Sequence, residues 1–219
     1  MATEPSQAAI DMIVSFEVTS KAVYEQKYQR PIWPGGQSGV TVGIGYDVGY
    51  VKAAKLTADW QGKLPAAMIA ELKHAVGVKG APARLLAIEL APRVVVPWEP
   101  AMAVFATVDL PNYSRDVRNG LANTAELSED SFGALASLVY NRGASFQKAG
   151  DRYREMRAIR AHMAARQFSA VTQDILDMQR LWPNVPGLQR RRRQEAALFK
   201  QGLAALTGAG AGQDERRLG

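Results

Sequence analysis

Apolar residues recur at helical spacing near the N-terminus and over most of the chain after residue 51. In AAIDMIVSF, Ile13 and Val14 follow Ile10 by three and four positions, and Ser6 stands where a helix cap belongs. This spacing predicts a helix over 6–16. The same kind of pattern predicts further helices over 52–60, 65–76, 81–91, 99–108, 114–121, 128–141, 151–165, 168–181 and 188–206.

A segment of different character runs from residue 24 to residue 50. Pro31, Pro34 and several glycines interrupt it, and β-prone residues cluster around Val40, Thr41 and Val42. Prolines and glycines mark turns, whereas branched residues favour strands. The segment is therefore predicted to form a short antiparallel hairpin or small sheet with irregular loops. The whole chain is expected to be an α+β protein, predominantly helical, with one small β element near the N-terminus.

Length and composition limit the classes of protein to consider. The 219 residues suit one compact domain over 1–207, and the tail GAGAGQDERRLG (208–219) offers little apolar surface and is expected to be disordered. No apolar run reaches the ~18–20 residues of a membrane span, so no membrane insertion is expected. No Lys or Arg precedes the first apolar stretch, which argues against a usual secretory signal. Without cysteine and with two histidines, the chain is not expected to hold a metal, and no cofactor is implied.

The net charge of +6 is unevenly spread. Acidic and basic side chains balance over residues 1–150, so the whole excess lies in the last third. Such a basic region suits an anionic partner (nucleic acid, an acidic membrane or a cell-wall polymer), and a solvated helix surface would look the same. The four arginines at 190–193 point around a helix at ~100° per residue, so they cannot form one phosphate-binding surface. No nucleic-acid partner is expected.

With metals and thiols set aside, carboxylates are the available acid–base groups. Glu17 ends the first apolar helix, where partial desolvation favours a protonated carboxyl that can act as a general acid. Asp47 follows SGVTVGIGY, and alternation along an undistorted strand puts it on the same side as Thr41, with Gly43 and Gly45 between them. Two carboxylates in different environments are what hydrolysis of a glycosidic bond needs.

Other interpretations of the same residues stay open at this point. A glutamate at a helix end is often a surface residue, and an aspartate in a glycine-rich stretch is often a turn former. A nucleotide-binding loop is excluded, because the third glycine of GIGYDVG comes one position late and no Lys-Ser/Thr follows.

Three separated blocks of the chain resemble the phage-type lysozymes, or endolysins, a family of glycoside hydrolases. IVSFE is similar to the family's helix that ends in the catalytic glutamate, and SGVTVGIGYDVG is similar to its hairpin block. In the C-terminal half, FGALASLVYNRGASF resembles the helix that ends in FNxG, and LWPNVPGLQRRRRQEAALF resembles the closing helix. The order and spacing of the blocks together carry the resemblance, which spans residues 10–199.

One departure from the usual family pattern narrows the resemblance. Gln26 and Ile32 stand where most phage lysozymes have the second catalytic residue and its threonine. The order Glu17, Thr41, Asp47 instead resembles the pesticin-type toxin domains related to phage lysozyme. This resemblance implies that these three residues are catalytic: Glu17 protonates the leaving oxygen, Thr41 positions water, and Asp47 activates that water or stabilises positive charge.

The resemblance also implies an architecture and further binding residues. A small β-rich lobe over about 18–60 and a larger helical lobe over about 61–207, joined by the N-terminal helix, are expected to enclose a cleft. Gly43, Gly45 and Tyr46 are expected to contact substrate from the hairpin side. Tyr140, Asn141 and Gly143 are expected on the far wall; a helix C-cap would explain Gly143 equally well. One arginine of 190–193 is expected to point inward.

The function that the resemblance implies is that of a muramidase, which hydrolyses the β-1,4 bond between N-acetylmuramic acid and N-acetylglucosamine in peptidoglycan. A lytic transglycosylase and a non-catalytic cell-wall or nucleic-acid binding module are the alternatives. The protein is expected to be a monomer made in the bacterial cytoplasm, delivered by a holin or a secretion system, and active on the wall. Inversion at the anomeric carbon is expected, with the carboxyl groups of Glu17 and Asp47 ~6.5–9.5 Å apart.

Overall fold

The computed structural model describes residues 3–214, and the predicted class is confirmed: the described chain is mostly helical, with one small antiparallel sheet. The helices are α1 Gln7–Val18, α2 Lys21–Lys27, α3 Ala53–Trp60, α4 Ala66–Lys73, α5 Ala81–Leu90, α6 Trp98–Val104, α7 Leu110–Gly120, α8 Glu129–Arg142, α9 Arg154–Ala164, α10 Phe168–Asp177 and α11 Pro186–Asp214. The strands are β1 Thr41–Val42 and β2 Tyr46–Asp47. Short 3₁₀ turns cover Val48–Tyr50, Thr124–Glu126, Asp151–Tyr153 and Met178–Leu181.

The chain divides into two compact units. One is continuous and covers residues 14–111, and the other combines residues 1–13 with residues 112–219. The continuous unit holds the hairpin, and its core includes the fully buried Tyr24, Trp60 and Phe105. It extends well past residue 60, where the sequence predicted the small lobe to end, because α6 contacts both α2 and α3.

The other unit is built around α8. Every residue from Ser131 to Val139 is buried, and α11 packs along this helix; α10 packs against α11, and α9 packs against α10. Ser128 caps α8 by accepting a hydrogen bond from the Ser131 N–H at 3.2 Å, and two acids occupy the first turn, where the helix dipole favours negative charge. The apolar pattern around α8 therefore reflects a helix buried on all sides.

Three local predictions differ from the structure. Helix α2 lies where the sequence predicted the irregular β segment; Ser20 caps it, with its hydroxyl accepting from the Val23 N–H. The predicted break between 108 and 114 is absent, because a π-helical turn at Phe105–Asp109, after which the Leu110 N–H donates to the Phe105 carbonyl, joins α6 to α7. Helix α11 continues to Asp214, so residues 208–214 of the predicted disordered tail are helical, and 215–219 lie outside the described residues.

Within the described residues, no helix has both the length and the apolar character that crossing a bilayer would require.

Candidate functional site

Glu17 lies where the first helix ends. It is the second-last residue of α1, and Thr19 follows in a left-handed conformation, with φ of 66°, that few β-branched residues adopt. Ser20 then begins α2. The chain therefore turns sharply just beyond the glutamate, whose side chain is half-buried.

The glycine-rich block forms the hairpin, with a turn at 43–45 between its two short strands. Thr41 pairs directly with Asp47, and Val42 pairs with Tyr46. This corrects the geometry expected from an undistorted strand through 41–47: the two residues face each other across the hairpin instead of following each other along one strand. Gly43 and Gly45 have φ of 61° and 77°, values that other residues rarely adopt, so the turn itself requires glycine.

Thr41 is held firmly by its backbone. Its N–H donates to the Ile32 carbonyl at 2.8 Å, and its carbonyl accepts from the Ile32 N–H at 3.0 Å, on the side of the strand away from Asp47. The side chain is 7% exposed, and its hydroxyl lies 3.4 Å from the Gly39 carbonyl, a long contact. The position of the hydroxyl is thus fixed, while its hydrogen-bonding capacity is largely free.

A cavity of about 350 Å³ brings several predicted residues together. Glu17 and Thr41 line it with Gly43 and Gly45, so a carboxyl group and a hydroxyl share one space whose wall is partly bare backbone. The other lining residues are Val18, Tyr28, Ile32 and Pro34. Sequence reasoning missed Tyr28, the residue that ends α2, because α2 itself was not predicted.

The Asp47 carboxylate is engaged by backbone groups. Its two oxygens accept from the Gly39 N–H at 3.1 and 3.0 Å, and Oδ1 also accepts from the Gly49 N–H at 2.9 Å, which caps the turn Val48–Tyr50. A Cβ atom at Gly39 would collide with Oδ1, and one at Gly49 would lie 2.6 Å from the Val78 carbonyl oxygen. Asp47 is not among the described residues that line the cavity.

Tyr46 points into the core of the same unit. It is 4% exposed, packs edge-on against Trp60 with ring centroids 5.4 Å apart, and donates its hydroxyl to Asp59 Oδ2 at 2.7 Å. Burial and this bond raise the pKa of the Tyr46 phenol far above its usual value. Like Asp47, Tyr46 is absent from the described lining of the cavity.

A second acid near Tyr46 was not predicted. Asp109 closes the π-helical turn, and burial, followed by the negative charge of Asp59, raises its pKa to about 7. Lys55 pairs with Asp59 at 2.9 Å and partly offsets the effect. No sequence pattern indicated Asp109, because its environment depends on how α3 and the turn pack.

Tyr140, Asn141 and Gly143 belong to the other unit, at the end of α8. Gly143 has φ of 69° and donates its N–H to the Val139 carbonyl at 2.7 Å, so it ends the helix in the way that the C-cap interpretation predicts. The Tyr140 ring lies 4.6 Å from that of Tyr113, and Asn141 Oδ1 accepts from Arg192 Nη2 at 3.2 Å.

Two arginines of the run 190–193 are buried, where the sequence analysis expected one. Arg191 and Arg192 are 3% and 0% exposed, and both pair with the buried Glu195, at 3.2 and 2.8 Å. Positions 191, 192 and 195 lie on one side of α11, so the carboxylate can reach both guanidinium groups. Burial lowers the pKa of Arg192 to about 10, an effect that Glu195 partly opposes.

Comparison with known proteins gives one result. The family model described as Phage lysozyme matches residues 95–195, and no curated protein matches the chain. The matched part includes Tyr140, Asn141 and Gly143; Glu17 and the hairpin precede it. The family suggests a lysozyme that hydrolyses peptidoglycan and implies an enzyme of the glycosidase type. Residues 95–195 are therefore similar to the phage lysozyme family, which supports the predicted resemblance to a phage-type lysozyme.

Proposed function

We propose that the protein is an N-acetylmuramidase that cleaves the β-1,4 bond between N-acetylmuramic acid and N-acetylglucosamine. One observation carries the proposal: the Glu17 carboxyl and the Thr41 hydroxyl line the same cavity, and the glycine turn forms part of its wall. A backbone wall without side chains lets a sugar ring approach closely. The family relationship supplies the substrate class.

In this proposal Glu17 is the general acid. Its carboxyl protonates the glycosidic oxygen as the bond breaks, so that the leaving sugar departs as an alcohol. The Thr41 hydroxyl accepts or donates a hydrogen bond to the water that attacks the anomeric carbon. The proton that this water loses passes to the solvent, from which the Glu17 carboxylate is protonated again. Since the N–H and the carbonyl of Thr41 are both hydrogen-bonded to Ile32, the water site is held in place before substrate arrives.

Water activation by Asp47 stays a prediction, and the contacts of its carboxylate favour a different role. With Gly39 and Gly49 N–H groups donating to it, Asp47 fixes the hairpin directly opposite Thr41. We propose that Asp47 acts as a positioning residue that also supplies negative charge near the cleaved bond. Substitution by asparagine separates this role from direct proton transfer.

Product analysis in isotope-labelled water tests the reaction type. Purified peptidoglycan digested by the wild-type protein should yield fragments with a reducing muramic acid end that carries one oxygen from the solvent. A lytic transglycosylase would form an anhydro product with no solvent oxygen, and a binding module would release no fragments. Either result would overturn the proposal.

The proposed substrate determines where the protein would act. Peptidoglycan is the proposed partner, and the wall is the proposed site of action, which the protein would reach through a holin pore or a secretion system. Neither route changes the chemistry at Glu17.

A further inference from the structure

A second cavity, of about 770 Å³, lies within the unit that contains α8. It is lined by residues 119–122 at the end of α7, by Phe146 and Gln147 after α8, and by one face of α9. Its volume falls within the ~300–1,000 Å³ of pockets that hold a whole small molecule. Glu17 and Thr41 belong to the other unit, so this is not the cavity that they line. We call it the α9 cavity.

The charge of the α9 cavity comes from two arginines. Arg157 and Arg160 are three positions apart on α9, so their side chains lie on the same face of the helix. No acid is found among the described residues that line the cavity, and over residues 3–214 neither arginine pairs with a carboxylate. The acid of α9 itself, Glu155, is engaged by Arg180 at 2.5 Å. The cavity therefore carries positive charge that the described residues do not neutralise.

Arg157 is held in place by one of its nitrogens. Nη1 donates to the Lys148 carbonyl at 2.6 Å and to the Gly150 carbonyl at 2.9 Å, so both of its N–H groups are used. Nε and Nη2 donate to no residue in the part of the chain that the structure describes. These two nitrogens form the parallel pair of donors with which a guanidinium group binds two oxygens of one anion. The backbone after α8 thus fixes Arg157 and leaves its bidentate edge for a ligand.

Arg160 adds a second cation beside this fixed one. It is exposed, and it makes no hydrogen bond or ion pair with the described residues. A carboxylate carries one negative charge on two oxygens, which a single guanidinium group satisfies. A phosphate monoester carries between about −1.5 and −2 at pH 7 on three oxygens. Two arginines on one face of a helix therefore match a phosphate monoester in charge and in number of oxygens.

The rest of the lining suits the neutral part of such a ligand. The exposed side-chain amides of Asn119 and Gln147 can each donate to and accept from hydroxyl groups. Leu121 and Phe146, which are buried, provide an apolar surface. Phe146 is tightly packed, because a Cβ atom at Gly120 would lie 2.5 Å from its ring. A small molecule with hydroxyl groups on a carbon chain or ring fits this combination of amides and apolar surface.

We propose that the α9 cavity binds a phosphate monoester of a small polyol or sugar. Arg157 holds two of the phosphate oxygens, and Arg160 contacts the third. The amides of Asn119 and Gln147 bond the hydroxyl groups of the ester. The same phosphate group occurs in a free ester and in a lipid whose headgroup is a phosphate monoester. The excess positive charge of residues 151–219, to which both arginines belong, attracts either one.

A titration followed by NMR tests this inference on the wild-type protein. Glycerol phosphate should shift the amide signals of residues 119–122 and 157–164, and it should bind more tightly than inorganic phosphate. Arg160→Ala should weaken this binding about tenfold, as expected for the loss of one charge-assisted hydrogen bond. Arg193→Ala is the matched control: it removes an exposed arginine of α11 that does not line the cavity, and binding should stay within about twofold of wild type.

Vesicles that contain phosphatidic acid distinguish the two sources of the monoester. If Arg160→Ala weakens binding to these vesicles about tenfold and Arg193→Ala does not, the lipid headgroup reaches the cavity. If both variants bind the vesicles as wild type does, while the free ester keeps its dependence on Arg160, the ligand is a soluble ester. Either result supports a site for a phosphate monoester.

Three outcomes would overturn the inference. The first is equal affinity of the Arg160→Ala and Arg193→Ala proteins for glycerol phosphate, or no shift of the signals at all. The second is binding of acetate as tight as that of inorganic phosphate, which would mean that the cavity does not select phosphate. The third is binding of glycerol phosphate no tighter than that of inorganic phosphate, which would exclude the contacts of Asn119 and Gln147 with hydroxyl groups. None of these measurements depends on hydrolysis of peptidoglycan.

Discussion

At the scale of single residues, Glu17 and Thr41 come from different elements and line one cavity. The glutamate is placed by the end of α1, and the threonine by its two backbone hydrogen bonds to Ile32. Neither side chain depends on the other for its position. Their effects on activity and on stability should therefore separate.

Thr41→Val should lower the rate of peptidoglycan hydrolysis with little change in stability. Valine has nearly the same volume as threonine, and the hydroxyl it removes makes only one long contact, of 3.4 Å, with the Gly39 carbonyl. Loss of the water position should slow the reaction by about 100-fold, the scale of a misplaced reactant. Steady-state rates on purified wall give the answer, with Thr41→Ser as the control that keeps the hydroxyl. Equal rates for the valine and serine variants would remove Thr41 from the mechanism.

Asp47→Asn should show whether the carboxylate positions the hairpin or transfers protons. Asparagine can keep the oxygen that accepts from both Gly39 and Gly49, and its NH₂ replaces the other oxygen, so the bond from the Gly39 N–H to Oδ2 is lost, at about 1–2 kcal/mol of unfolding free energy. If Asp47 is a positioning residue, the folded variant keeps activity within about tenfold of wild type, well short of the ~100- to 10,000-fold of a general base. Denaturant unfolding and rate measurements on the same preparation separate the two roles. A loss of several orders of magnitude in a stable variant would restore Asp47 as a base.

Residues of the candidate site could be predicted from the sequence where the neighbouring residues indicate their local structure. Glu17 ends an apolar helix, and Thr41 lies in a β-prone block among glycines, so both were predicted. Tyr28, Gly39 and Asp109 were not, since their roles depend on contacts between distant segments. Gly39, for example, is constrained by the Asp47 carboxylate beside it, which no spacing rule reveals.

At the scale of elements, α11 carries a cluster of buried charged side chains. Arg191 and Arg192 both pair with the buried Glu195. The sequence pattern predicts the helix α11, but it does not show which of the arginines 190–193 face the interior. The geometry that decides this is the packing of α11 along α8.

Arg192→Ala should destabilise the protein strongly, by about 3–5 kcal/mol, because it leaves a cavity at a fully buried position and removes hydrogen-bond donors from Asn141 and from the buried Glu195. Arg193→Ala is the matched control: this neighbour is exposed and donates to Gln179, and its loss should cost less than about 0.5 kcal/mol. Urea unfolding of both variants provides the comparison. Equal costs would mean that Arg192 is not buried as described.

The free energy of unfolding should depend on pH, because the π-helical turn ends at Asp109, a partly buried acid with a raised pKa. Its pKa is about 7 in the folded chain, against ~3.9 for an unfolded aspartate, so the folded state holds a proton over that interval and the unfolded state does not. The contribution to stability is therefore complete below about pH 4 and is lost as the pH rises through 7.

Asp109→Asn should remove this dependence, because asparagine stays neutral at every pH. The stability of the variant relative to wild type should rise between pH 5 and pH 8, on the order of 2–3 kcal/mol. Urea unfolding at four pH values in this range gives the difference. A constant difference across the range would show that Asp109 is ionised throughout.

At the scale of the whole molecule, the segment that matches the family and the residues that line the Glu17 cavity lie largely in different units. The matched segment, residues 95–195, belongs to the continuous unit only as far as residue 111, whereas Glu17, Thr41 and the hairpin all lie in that unit, residues 14–111. The sequence predicted the helical class, the hairpin and most helices, because each follows from local periodicity and turn chemistry. The unit boundary at residue 111 was missed, since it depends on α6 packing against α2 and α3.

Hydrolysis of purified peptidoglycan by the Glu17→Gln protein tests whether Glu17 is the general acid. Glutamine matches glutamate in volume and has no transferable acidic proton, so the rate should fall by ~100- to 10,000-fold while the unfolding midpoint stays near that of wild type. Glu25→Gln is the control: Glu25 is an exposed acid on α2, 3.9 Å from Lys21, and its loss should leave the rate unchanged. Near-normal hydrolysis by folded Glu17→Gln protein, or an equal loss in Glu25→Gln, would contradict the account.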